Sequence, residues 1–135
     1  MLIILRKITP AFILKQSARF SKENIEDAAR MADKIHKKCR KTGPLRRFFN
    51  DVGLMIAMLR DYLSGRYRDV PYWAITAIAF TLLYVLNPFD LIPDYLPLIG
   101  YLDDAAVVAA CLVLVRQQLA DYQRWRGRDH RKMRA

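Results

Sequence analysis

A chain of 135 residues has room for one domain built on one core. With 53% hydrophobic residues, 27% charged residues and a net charge of +10, it is not the apolar-poor, acidic composition of a disordered chain. Cys39 and Cys111, far apart in unlike surroundings, exclude a disulfide scaffold and point to a reduced environment.

Met1 to Leu14 is apolar but interrupted by Arg6, Lys7 and Pro10. Its leading apolar stretch is five residues long, its charges follow that stretch, and no small-residue cleavage site is evident. This pattern argues against a signal peptide and for an interfacial anchor or a frayed terminus. Ser21 can then cap a helix with Ile25, Ala28, Ala29, Ala32, Ile35 and Cys39 on one face, supported by Glu26 four residues before Arg30 and Asp33 four before Lys37. Thr42 can cap, and Pro44 open, a second amphipathic helix. Its apolar set of Leu45, Phe48, Phe49, Val52, Met55, Ile56, Leu59 and Leu63 holds helical spacing up to a stop at Gly65.

Val70 to Phe89 is a run of 20 uncharged residues. Pro71 suits a first helical turn and Pro88 pushes Asn87 out of the helical region, which leaves a helix of about 16 or 17 residues, ~25 Å long. Against a bilayer core of ~30 Å this is a marginal span; the same run also fits the buried central helix of a bundle. Between Asn87 and Asp104, Pro88, Pro93, Pro97 and Gly100 forbid one continuous helix and predict short turns. A second apolar helix follows from about Asp103 to Val115, and Cys111 is the single polar side chain after Asp104. Leu112, Val115, Leu119 and Tyr122 then recur at three- and four-residue spacing while Arg116, Gln117, Gln118 and Asp121 point elsewhere, so the helix leaves the apolar zone near Arg116. The fold class is all-α: an apolar helical hairpin over about 71–115, preceded by two amphipathic helices. The division is a basic extension at 1–43, a helical domain at 44–123 and a basic tail at 124–135.

Charge is segregated along this order. Residues 1–43 hold 11 basic and 4 acidic side chains, residues 44–70 hold 5 and 3, residues 71–115 hold none and 4, and residues 116–135 hold 7 and 2. Forty-five consecutive residues therefore lack Lys and Arg while both flanks are cationic.

The string Asn87-Pro88-Phe89-Asp90-Leu91-Ile92-Pro93-Asp94-Tyr95-Leu96-Pro97-Leu98-Ile99-Gly100-Tyr101-Leu102-Asp103-Asp104 resembles the core of the YkvA-like family, a domain of unknown function. The family pattern is a Pro-x-Asp-Leu-Ile-Pro-Asp element, then Pro, Gly and an Asp-Asp pair, set between two apolar helices. The likeness runs from about Val52 to Leu119, keeps every aspartate of the pattern and leaves out Met1 to Thr42. It implies a small multi-pass membrane or membrane-associated protein and brings no known catalytic activity with it.

Asp90, Asp94, Asp103 and Asp104 lie within 15 residues with no cation between them. Read structurally, Asn87, Pro88 and Asp90 fit a helix start, Asp94 accepts from backbone N–H groups in its own turn, and Asp103 caps the second helix. Read chemically, Asp90, Asp94 and one of the last pair supply oxygen ligands for Mg²⁺ or Ca²⁺, without any regular ligand-loop spacing. A protonatable cluster is the third reading. His36 and Cys39 stand three apart, but no second pair completes a tetrahedral metal site. No nucleophile elbow, triad spacing or phosphate loop is present, so neither an enzymatic role nor an organic cofactor is expected.

Arg60, Arg66 and Arg68 before the hairpin and Arg116, Arg124, Arg126 and Arg128 after it form the expected set for anionic surfaces. By the positive-inside rule they place both termini in the cytoplasm and the acidic turn on the opposite side. Tyr72, Trp73, Tyr84, Tyr95 and Tyr101 fit an interfacial belt or a core. Ala74, Ala77, Ala105, Ala106, Ala109 and Ala110 allow close helix contact, and self-association stays open. The leading reading is an integral multi-pass membrane scaffold or adaptor in contact with the bilayer and anionic lipid headgroups. The alternative is a soluble or peripheral bundle that binds nucleic acid or anionic lipid through tails such as Arg124-Trp125-Arg126.

Overall fold

The computed structural model describes residues 10–86 and 104–134, with side chains over 10–86 and 105–128. Among the described residues every element is helical: α1 (Pro10–Ser17), α2 (Lys22–Arg30), α3 (Ala32–Lys41), a 3₁₀ turn (Gly43–Phe48), α4 (Phe49–Ser64), α5 (Tyr72–Leu86), α6 (Asp104–Leu114) and α7 (Arg116–Arg134). The expected turn residues Asn87, Pro88, Pro93, Pro97 and Gly100 lie outside the described residues.

The uncharged run forms α5, and the chain wraps it in its own helices. α1, α2, α3, α4 and α6 all pack against it, and eleven of its 15 residues are buried. Phe80 is the hub, its ring lying 6.4 Å from Phe12, 5.8 Å from Phe20 and 6.0 Å from Tyr84. Two buried polar groups find backbone acceptors on α5: the Thr76 hydroxyl donates to Trp73 O at 3.0 Å, and the Cys111 thiol of α6 donates to Ala77 O at 3.8 Å. The α5–α6 contact anticipated for the hairpin is thus present.

The first amphipathic helix starts where expected, with the Ser21 N–H donating to Asn24 Oδ1 at 2.9 Å. It is divided at Met31 (φ −90, ψ 2) into α2 and α3. Its apolar row crosses the division intact, with Ile25, Ala28, Ala32, Ile35 and Cys39 buried on both sides. The pair runs the length of α5: the Tyr72 hydroxyl faces Phe20 O at 3.5 Å at one end, and Lys38 Nζ donates to Val85 O at 2.5 Å at the other. Lys38 there meets a carbonyl in the last described turn of α5.

Two boundaries depart from expectation. The helix expected from Pro44 begins as the 3₁₀ turn and becomes α-helical at Phe49. Its entry is held by the His36 ring, which stacks 3.9 Å from Phe49 and donates from Nε2 to Phe49 O at 2.9 Å. Gly53 permits that approach, since a Cβ there would lie 3.2 Å from the imidazole. At the N-terminal side, Pro10 to Ser17 is no frayed end but a helix that packs on α5 and α6, with Ile13 fully buried.

The chain leaves the bundle at Val115, where α6 and α7 meet at a bend of 74°. Val115 is fully buried, and its N–H still bonds Cys111 O while its carbonyl receives the Leu119 N–H, both at 2.9 Å. Composition changes at the same residue, from the apolar α6 to an α7 rich in Arg. No single described helix is long and apolar enough to cross a membrane; the α6–α7 pair passes by length and composition only as a broken segment.

Candidate functional site

The site begins with the way α4 stops. Gly65 adopts φ +84, a left-handed conformation that an L side chain resists. The Gly65 N–H bonds Tyr62 O at 3.2 Å and the Arg66 N–H bonds Asp61 O at 2.9 Å, the paired pattern that satisfies the last carbonyls of a helix. The chain is thereby turned back along α4, with Tyr67 buried and Arg66, Arg68 and Asp69 exposed.

α7 closes the other side. Tyr122 and Trp125 lie one turn apart and both pack on Tyr67, with ring centroids 5.1 and 4.9 Å away. The Tyr122 hydroxyl donates to Asp61 Oδ2 at 2.5 Å, which ties α7 to α4 across 61 residues of sequence. Burial, followed by this bond and the charge of Asp61, raises the Tyr122 phenol above its ordinary value of 10.0. Tyr67 is raised in turn by burial and then by Asp69 and Asp121.

Between the α4–α5 loop and α7 lies an open cleft of about 550 Å³, walled by Arg66, Arg68, Arg124 and Arg128, with Asp69, Asp121, Tyr67 and Trp125 completing its lining. Arg66 is held 3.8 Å from Asp61, and Arg124 pairs with Asp121, which also accepts from Gln117 at 3.0 Å. Arg68 lies over the Tyr62 ring at 5.0 Å. No carboxylate lies within ion-pair distance of Arg68 or Arg128 among the described residues. Guanidinium groups around a concavity with an aromatic wall are suited to recognising an anion, and among the described residues no Ser, Cys or His lines the cleft.

Four of the seven arginines singled out in the sequence therefore converge on one cleft. The other three do not join it: Arg60 faces Asp33 at 3.3 Å, Arg116 opens α7 at the bend, and Arg126 lies close enough to Tyr122 to oppose its rise in pKa. Asp90, Asp94 and Asp103 lie outside the described residues, and Asp104 enters the description only as the first residue of α6. Among the described residues no group of three His, Cys, Asp or Glu side chains is placed to hold a metal. His36 is engaged with Phe49 and Cys39 is buried. Sequence reasoning passed over Tyr67, Asp69, Asp121 and the Asp61–Tyr122 bond. The signal available was the inward spacing of Tyr122, which carries no information on its distant partner.

Residues 74–110 match a family described as a protein of unknown function (DUF1232). Over 69 residues the chain is 35% identical to the uncharacterized membrane protein YkvA of Bacillus subtilis (strain 168), an alignment covering 51% of this chain and 65% of that protein. Over this stretch the chain is similar to YkvA-like proteins of unknown function. It spans just under two thirds of the relative's length, and no solved structure matches it. The YkvA-like match of residues 74–110 takes in α5 and the first part of α6, so the arginine cleft, at 66–69 and 121–128, flanks it on both sides. The description of the family names no activity.

Proposed function

We propose that the protein works at a membrane as a scaffold or adaptor without catalytic activity, seated in the interface through α6 and held there by the cations of α7 and the α4–α5 loop. The observation that carries this reading is the elbow at Val115: an apolar helix meets a basic one at 74° where the composition changes. Such a joint lets the first helix lean on acyl chains while the second lies along the headgroups. Among its described side chains, the outward side of α6 offers Ala106, Ala109, Leu112, Val113 and Leu114, with Val113 61% exposed. At the start of α5, Tyr72 and Trp73 stand 48% and 39% exposed, side chains suited to the headgroup layer. The relative's name, a membrane protein, agrees with the location.

An arrangement in which α5 and α6 cross the bilayer as a hairpin, with both termini cytoplasmic, draws on the same composition. The packing favours the interface instead. α5 is flanked along its length by α2 and α3, whose outer faces carry Lys22, Glu26, Asp33, Lys34 and Lys37, charges that would face lipid if α5 crossed. Attraction of the cationic flanks to an anionic leaflet, about 1 kcal/mol per Lys or Arg near the surface, supports a seat on the cytoplasmic leaflet. The interleaved Arg124-Trp125-Arg126 also suits a nucleic acid, whose binding would fall steeply with salt.

Fractionation of cells is the test. The protein is expected to sediment with membranes at physiological salt and to be released by alkaline carbonate. Recovery in the soluble fraction at physiological salt would overturn the membrane reading, and retention through alkaline carbonate would replace the interfacial seat with a span.

A further inference from the structure

We propose that the cleft between the α4–α5 loop and α7 is a binding site for one phosphate monoester, presented by a lipid of the phosphatidic acid class. Its placement at a bilayer rests on the membrane reading; its anion chemistry stands on the cleft itself. Four guanidinium groups and two carboxylates line the cleft, an excess of two positive charges. A phosphate monoester carries up to two negative charges and three terminal oxygens, whereas a diester headgroup offers one charge and two such oxygens. Arg68 and Arg128 have no carboxylate within ion-pair distance among the described residues, so their planar forks keep donors for two phosphate oxygens each. Arg66 and Arg124 are already oriented by Asp61 and Asp121, and they supply fixed positive charge at the walls.

The cleft is also held open before any ligand arrives. The left-handed Gly65 fixes the loop, Tyr67 packs between Tyr122 and Trp125, and the Tyr122–Asp61 bond locks α7 to α4. A site preorganised in this way loses little freedom on binding. Its volume of about 550 Å³ exceeds what a bare phosphate needs and lies within the range of sites for small organic ligands, so the group to which the phosphate is attached also has room. The lipid source is indicated by the start of α5, which follows the cleft's loop in the chain. Tyr72 and Trp73, both exposed, follow Asp69 by three and four residues, a reach of at most about 14 Å, and would rest in the headgroup layer beside the cleft mouth.

The test uses the purified full chain with three kinds of vesicle: phosphatidylcholine alone, phosphatidylcholine with phosphatidic acid, and phosphatidylcholine with phosphatidylglycerol at matched surface charge. The expected result is binding at least about tenfold tighter to the phosphatidic acid vesicles than to the phosphatidylglycerol ones, a preference that R68Q/R128Q reduces to within about twofold. R46Q/R47Q removes the same charge from the exposed 3₁₀ turn and is expected to keep the preference. Circular dichroism of each variant confirms that the helices remain. Equal binding to both anionic vesicles, or a preference that survives R68Q/R128Q, overturns the cleft while leaving the membrane reading in place. Calorimetry with glycerol 3-phosphate separates the sources. Binding of that compound, lost in R68Q/R128Q, with no binding to any vesicle keeps the phosphate site and overturns the lipid source. No binding to glycerol 3-phosphate or to any vesicle overturns both readings.

Discussion

The bundle around α5 and the arm formed by α7 solve opposite problems. The bundle must hide a helix with no charged side chain, and five other helices surround it, one of them anchored by Lys38 at the end of α5. The arm carries too little apolar surface to make a core, and its contacts are with α4 and the loop after it. It is held by three aromatic rings, the buried Leu119 and one hydrogen bond, and its exposed side is rich in Arg. The family match at residues 74–110 falls within the first region and not the second. The stretch that matches the family model thus lies in the fold's interior, and the arginine cleft lies outside that stretch.

The sharpest way to break this contrast is at Phe80, which is fully buried among Phe12, Phe20 and Tyr84. Phe80→Ala is expected to cost about 3–5 kcal/mol of folding stability, read by urea denaturation followed by circular dichroism. A loss below about 1 kcal/mol would mean that α5 is not buried by its own chain, and would revive the crossing arrangement.

A smaller effect is expected where the arm is tied down. Tyr122→Phe removes the hydroxyl that donates to Asp61 and is expected to cost about 1–2 kcal/mol, with weaker protection of α7 amides in hydrogen exchange. The pH dependence follows from the raised phenol. Because its folded value lies above the unfolded 10.0, this contribution is complete below pH 10 and is lost as pH rises from there through the folded value. Denaturation midpoints measured above pH 10 should fall more steeply for the wild type than for Tyr122→Phe. Parallel curves would show that the hydroxyl is not held as described.

The smallest effect is expected at Arg60. It pairs at 3.3 Å with an Asp33 that is almost fully solvated, so Arg60→Gln should change stability by less than about 0.5 kcal/mol. A larger loss would move this arginine from surface charge to structural tie.

Much of the interior was legible from the sequence because it rests on local rules. Pro71 and the uncharged run bounded α5, Ser21 marked a helix start, and the first cation after the run marked the exit near Arg116. What the sequence hid depends on distant partners. No Gly or Pro lies at Met31, where α2 and α3 part, and the division follows from wrapping one apolar row along α5. The 3₁₀ entry to α4 depends on His36 reaching Phe49. The seven arginines were visible as charge, but the gathering of four around one concavity required the Gly65 turn and a hydrogen bond across 61 residues of sequence. The acidic turn at Asp90, Asp94 and Asp103 lies outside the described residues and keeps its capping, cation-binding and protonatable readings.

Cys39 and Cys111 are both reduced and fully buried, and burial pushes the Cys111 thiol up to about 12. Alkylating and nitroxide reagents, which attack thiolates, will find neither in the folded protein. The natural chain is therefore a silent background for single-site labelling. A reporter attached to a cysteine introduced in place of Val113 would measure how deep α6 sits, with no need to engineer the native thiols away.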